Sequence, residues 1–136
     1  MINAPGNRIS VVRVEDAPNG LSTLCQIEIA TEHVSTRGYH WLLSEEIDEY
    51  NRRVAELKAK RCITLHVGGE YEGAFDITLR PHTSTGAYEV SLACRFLLDL
   101  PLHGDYGVCD SFIIEGEFVN QSVNRIGAQH QSALSP

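Results

Sequence analysis

The sequence predicts an α+β fold: a single domain in which a strongly twisted antiparallel sheet of about six strands carries one amphipathic helix on a face. Three observations predict it. Apolar and polar residues alternate over 24–30, 74–80 and 88–98, the period of a half-buried strand. Only one segment, about 44–59, repeats its apolar residues at helical spacing. The connections between the predicted strands are shorter than a parallel crossover needs, so neighbours pair antiparallel.

In chain order, Arg8 to Val14 is β-branched and apolar on both faces, which suits a strand covered on both sides. Asp16-Ala17-Pro18-Asn19-Gly20 supplies turn chemistry. Leu24 to Ala30 then sets Cys25, Ile27 and Ile29 on one face, with a continuation towards Val34. Ser44 is the predicted N-cap of the helix, and Glu45, Glu46 and Asp48 fill its first turn, where the helix dipole favours negative charge. Ile47, Tyr50, Val54 and Leu57 form its apolar stripe, and Asp48–Arg52 and Glu49–Arg53 stand four residues apart, acid before base.

Everything after the helix reads as strands. Cys62 to Val67 is a short apolar run, and Gly68 to Gly73 reads as a hairpin loop. Ala74 to Arg80 places Phe75, Ile77 and Leu79 inward, and Thr83 to Gly86 reads as a turn. Tyr88 to Leu98 is long enough to predict a twisted or bulged central strand. Ser111 to Val119 is the last predicted strand, with Phe112, Ile114 and Phe118 inward. The core is therefore expected over about 8–119, and 120–136 is a polar tail with a single charge, Arg125.

A chain of 136 residues is of ordinary size for one domain and buries enough surface to fold without disulfides or metals. Its 43% hydrophobic and 21% charged residues belong to a globular protein. The 18 acidic side chains against 11 basic ones, net −7, argue against nucleic acid, whose phosphates require clustered Lys and Arg. Residues 1–61 carry 8 basic and 9 acidic side chains, and residues 62–136 carry 3 and 9, so the acidity is concentrated in the second part. Met1 to Asn7 has neither the basic start nor the apolar stretch of a secretion signal, and no apolar run is long enough for a bilayer. A cytoplasmic protein with reduced thiols is the expectation, with no membrane association.

Little in the sequence points to catalysis. His103-Gly104-Asp105, with Cys109 and Asp110 behind, gathers ligand-type residues, but in a Gly- and Pro-containing loop without a second cluster; no metal and no cofactor are expected. Cys25 and Cys94 fall on apolar strand faces, where a thiol is inert, and no G-x-S-x-G elbow occurs. Glu45 and Glu46 are explained by the helix start, while Glu115 and Glu117 alternate towards water on a strand. No catalytic residue is assigned. Tyr39-His40-Trp41-Leu42-Leu43 beside the acidic helix start reads either as a hydrophobic lead-in packed under the helix or as an aromatic anchor. The candidate partner-binding set is Trp41, Glu45, Glu46, Asp48, Glu49, Glu115 and Glu117.

A strand before Trp41-Leu42 leads to the helix start Glu45-Glu46-Ile47 and on to Leu57. The Phe75-Ile77-Leu79 strand, Thr85-Gly86 leading into Val90-Ser91-Leu92, and a late strand with Phe112 and Phe118 complete the pattern. Over about residues 22–119 this order resembles the WapI-type immunity proteins of bacterial polymorphic-toxin systems and related small bacterial families. The resemblance implies a non-enzymatic cytoplasmic protein that binds and neutralises a cognate toxin, and it carries over no functional residue. An acidic surface is compatible with a basic toxin domain acting as partner. Two other function classes stand beside this one. One is a small enzyme or ligand binder with a pocket between helix and sheet; the other is a self-associating structural protein, a homodimer.

Overall fold

The computed structural model describes residues 1–60, 63–69, 75–82, 86–97 and 105–127. The chain runs through β1 (Ile2–Ala4), β2 (Asn7–Asp16), β3 (Ser22–Ala30), β4 (Ser35–Leu43), α1 (Ser44–Lys60), β5 (Leu65–Gly68), β6 (Phe75–His82), β7 (Ala87–Leu97) and β8 (Asp105–Ile114). A 3-10 turn at Gly116–Phe118 and α2 (Val119–Ser122) follow. The fold is α+β, but the expected single sheet of about six strands is replaced by two antiparallel sheets of four, ordered β1-β2-β3-β4 and β5-β6-β7-β8. The reason is the placement of α1. It interrupts the strand succession midway, and among the described residues a lone bridge between Leu42 and Gly69 joins the two sheets. No described helix is long and apolar enough to cross a membrane.

Each sheet has one apolar face, and those faces share a single core with α1. Ile9, Val11, Ile27, Ile29 and Leu42 enter it from the first sheet, and Leu65, Val67, Ile77, Val90 and Leu92 from the second. The helix contributes Ile47, Tyr50, Val54 and Leu57, the stripe read from its spacing. Full burial of one such aliphatic side chain stabilises by about 1.5–3 kcal/mol, which fixes the register of each strand, since a one-residue slip would expose the whole set.

Turn chemistry ends the strands where side chains can satisfy the backbone. Between β2 and β3, Asn19 Oδ1 accepts from the Leu21 amide at 3.0 Å, and Gly20 takes φ +71°, which favours glycine. β3 stops at Ala30 rather than running on to Val34, because the Thr31 hydroxyl accepts from the amides of His33 (3.2 Å) and Val34 (3.1 Å) and turns the chain. The bulge expected in the long strand occurs in β2 instead. The register slips between Arg13 and Glu15 there, whereas β7 pairs with β6 and β8 without interruption.

Two strands escape the sequence reading, β1 and β4. The stretch Tyr39–Leu43 is a strand, not a lead-in beneath the helix. At the other end, β8 closes at Ile114, and Phe118 lies 37% exposed in the 3-10 turn while Val119 is buried. The expected strand to Val119 with Phe118 inward is thus corrected. Cys62 and most of the Gly68–Gly73 and Thr83–Gly86 connections lie outside the described residues, as does 128–136.

The first part of the predicted tail is held in place. Val123 bridges Ile2, and Ile126 is buried. Asn51 on α1 clasps it: its amide nitrogen donates to the Ile126 carbonyl at 2.8 Å, and its oxygen accepts from the Ile126 amide at 2.7 Å. Tyr50 donates to the Asn124 carbonyl at 2.9 Å. At Gly127, φ is +98° and a Cβ would stand 3.0 Å from Arg13 Nε, so glycine is required. Replacing Asn51 by alanine removes both bonds and leaves the Ile126 groups to find water, at a cost of about 1–3 kcal/mol. Urea unfolding of Asn51→Ala should show that loss with an unchanged slope; a loss below about 0.5 kcal/mol would remove the clasp from the stabilising interactions.

Candidate functional site

Most of the sequence-predicted acids are engaged within the chain. Glu49 takes Arg52 Nε at 3.1 Å, and this hydrogen bond holds its carboxyl below the usual carboxylate range. Arg53 lies 3.9 Å from the same carboxylate. Arg52 also reaches Glu56 at 2.8 Å rather than Asp48, and Asp48 lies 3.9 Å from Arg13 on β2. Glu46 faces His66 of β5 at 3.8 Å. Glu45 is exposed and forms no ion pair among the described residues. Glu115 and Glu117 are exposed in the segment after β8, Glu117 within the 3-10 turn. Five of the seven residues belong to the end of β4 and the start of α1, and two follow the last strand of the second sheet.

Three histidines have partners that no local motif announces. His40 of β4 and Cys94 of β7 meet across the core, Nε2 to Sγ at 3.3 Å, with the imidazole tilted against Phe75. A Cys–His pair is the chemistry of a nucleophile when it ionises. Here burial pushes the thiol up to about 12 and the imidazole down, so both stay neutral. His33 Nδ1 stands 3.3 Å from Asp110 of β8, whose carboxylate also accepts from the Thr31 hydroxyl at 2.6 Å and the Ser111 amide at 2.8 Å. Those bonds, Thr31 foremost, hold Asp110 below the ordinary carboxylate range and tie the β3–β4 turn to the second sheet. His66 Nε2 lies 2.8 Å from Asp76.

None of these groupings is a built reaction site. Among the described residues no cluster of three or more His, Cys, Asp or Glu is placed to hold a metal ion. His103 lies outside the described residues, and Cys109 is exposed. A cavity of about 560 Å³ opens beside β1 and β2, but its charged side chains, Arg8 and Glu28, neutralise each other at 3.0 Å.

The feature that stands apart is the outer face of the first sheet. Alternation in β2, β3 and β4 turns Val12, Leu24, Tyr39 and Trp41 away from the core, and register sets them side by side: Val12 by Gln26 by Tyr39, then Glu15 by Leu24 by Trp41. Tyr39 is 58% exposed, Leu21 at the adjoining turn 66%, and Val14 in the bulge 47%. These apolar side chains are interleaved with Gln26 and Glu15, the mixture of apolar and polar groups that an interaction surface presents. Trp41, chosen from sequence as an aromatic anchor, lies half-buried among them. Tyr39 belongs to the 39–43 stretch offered from sequence as an aromatic anchor but not to the candidate binding set; with Trp41 apolar as well, no polar alternation marks it as facing out.

Comparison with known protein families, with curated proteins and with solved structures finds no match.

Two outcomes follow from the buried chemistry. A thiol reagent at neutral pH should modify Cys109 in the folded protein and reach Cys25 and Cys94 only on unfolding, because burial raises both of the latter to about 12. Rapid labelling of Cys94 in the native state would contradict an inert pair. For Asp110, a folded-state value below the unfolded one contributes stability at neutral pH that is lost as the carboxylate protonates on acidification. Asp110→Asn should therefore be destabilised near neutrality and converge with the parent in acid, read from denaturation midpoints across pH.

Proposed function

We propose that this chain is a non-enzymatic protein-binding module that docks a partner on the outer face of its first sheet. The observation that carries the reading is the exposed Tyr39 on the edge strand of that face, beside half-buried Val12, Leu24 and Trp41. An exposed tyrosine offers a large, rigid, amphipathic contact at little entropic cost, which is why aromatic residues dominate interface energetics. The neutral, buried state of the His40–Cys94 pair is consistent with this, since that pairing of nucleophile and base types is withdrawn from solvent.

Within that class we propose an immunity-like inhibitor, occluding the site of a cognate bacterial toxin without any covalent step. Glu15, in register with Leu24 and Trp41 on that face, and Glu45 at the start of α1 are exposed and suit a basic toxin domain, whose approach they would accelerate. This narrows the expected site. Trp41 and Glu45 are kept, whereas Glu46, Asp48 and Glu49 already face basic groups of the chain itself.

The test begins with the gene directly upstream. A large secreted protein ending in a variable toxin module is expected there, and its purified module should form a complex with this chain. Tyr39→Ala should weaken that complex at least about tenfold, as loss of an aromatic anchor does. Added salt should slow its formation. Glu46→Gln should leave it unchanged. Binding indifferent to Tyr39, or an unrelated metabolic operon in place of the toxin gene, would count decisively against the reading.

A further inference from the structure

We infer that the free protein is a two-fold homodimer joined through the outer face of its first sheet, with Arg37 of each copy against Glu15 of the other. The inference rests on the reading that this face docks protein, and it names the occupant when no other partner is present.

Along the strand direction the outer face of the first sheet carries, among the described residues, an unpaired base at one end and an unpaired acid at the other. Arg37 of β4 is exposed at one end, in register with Glu28, but Glu28 is already taken by Arg8 at 3.0 Å. At the other end Glu15 of β2 is exposed, in register with Leu24. Among the described residues neither Arg37 nor Glu15 forms an ion pair. A basic partner has no use for Arg37 on the docking face. A second copy has, provided that its own acidic end can reach it.

Register supplies the symmetry. Gln26 of β3 pairs with Val12 on one side and Tyr39 on the other. It sits midway between Arg37, which shares a row with Glu28, and Glu15, which shares a row with Leu24. A two-fold axis through Gln26, lying in the plane of the interface and perpendicular to the line from Arg37 to Glu15, sets Arg37 over the partner's Glu15 twice and turns Tyr39 towards the partner's Leu24. Such an interface is isologous and closes on itself, with the two sheets crossing steeply.

Net charge favours the same face. A chain at −7 repels its own kind, but residues 1–61, which include the whole first sheet, carry only −1, while residues 62–136 carry −6. Contact through the first sheet brings the nearly neutral parts together and keeps the acidic parts apart.

Sedimentation velocity across micromolar concentrations tests the proposal, with circular dichroism checking that each variant is folded. The parent chain should sediment at twice its 15.1 kDa mass. Arg37→Glu and Glu15→Arg should each raise the dimer dissociation constant about tenfold, because each sets like charges together at two places, and their combination should restore dimerisation. Tyr39→Asp should give a monomer. A parent that stays monomeric throughout, or a combined variant weaker than either single one, overturns the dimer. The two readings fail separately. A monomeric parent whose toxin binding still falls with Tyr39→Ala removes the dimer and leaves the docking reading. A dimer restored by the charge exchange, with toxin binding indifferent to Tyr39, does the reverse.

Discussion

Each four-stranded meander in this protein is apolar on one face, and neither can be stable until that face is covered. The mutual covering of the two faces, with the α1 stripe completing the same core, is the constraint on which the rest depends. It explains why the chain forms two sheets although eight antiparallel strands follow one another with only one helix between them. A single flat sheet of eight strands would leave its apolar face to be covered by one helix of 17 residues. Dividing at α1 lets each half cover the other, and the lone Leu42–Gly69 bridge marks where the strand succession is broken.

Polar ties then secure the packed halves at separate places. Thr31 and His33 hold Asp110 between the β3–β4 turn and β8, His66 stands between Glu46 of α1 and Asp76 of β6, and Asn51 clasps the segment after α2. These ties differ in worth. Asp110 is mostly shielded and accepts hydrogen bonds from several donors, so its charge is well compensated. The His66 contacts are half-exposed and screened by water, and contribute little.

Burial also disposes of the reactive groups. His40 and Cys94 have the residue types and spacing of a catalytic pair, yet the environment that brings them together also keeps them uncharged. What stays exposed on the outer face of the first sheet is Tyr39 on the edge strand, with Arg37 and Glu15 diagonally across from each other. A buried neutral dyad and an exposed aromatic face both follow from the alternation of one strand, β4, whose His40 points inward while Tyr39 and Trp41 point outward.

The sequence by itself determined the helix, because only one segment combines an acidic first turn with apolar residues at helical spacing. It also determined the strands whose two faces differ in polarity, such as 24–30 and 75–80, and the inertness of Cys25 and Cys94. The strand β4 was not legible for the complementary reason: Tyr39 and Trp41 are apolar although they face out, so the period of two disappears. Phe118 misled in the same way, since its character fits an inward strand position but the chain has already turned after Ile114. Only the tertiary structure decided that the strands divide into two sheets, that His40 meets Cys94 and Asp110 meets Thr31, and that Val12, Leu24 and Tyr39 share one outer face. These are contacts between residues far apart in the chain. They are selected by which faces must be buried together, a condition that no local pattern contains.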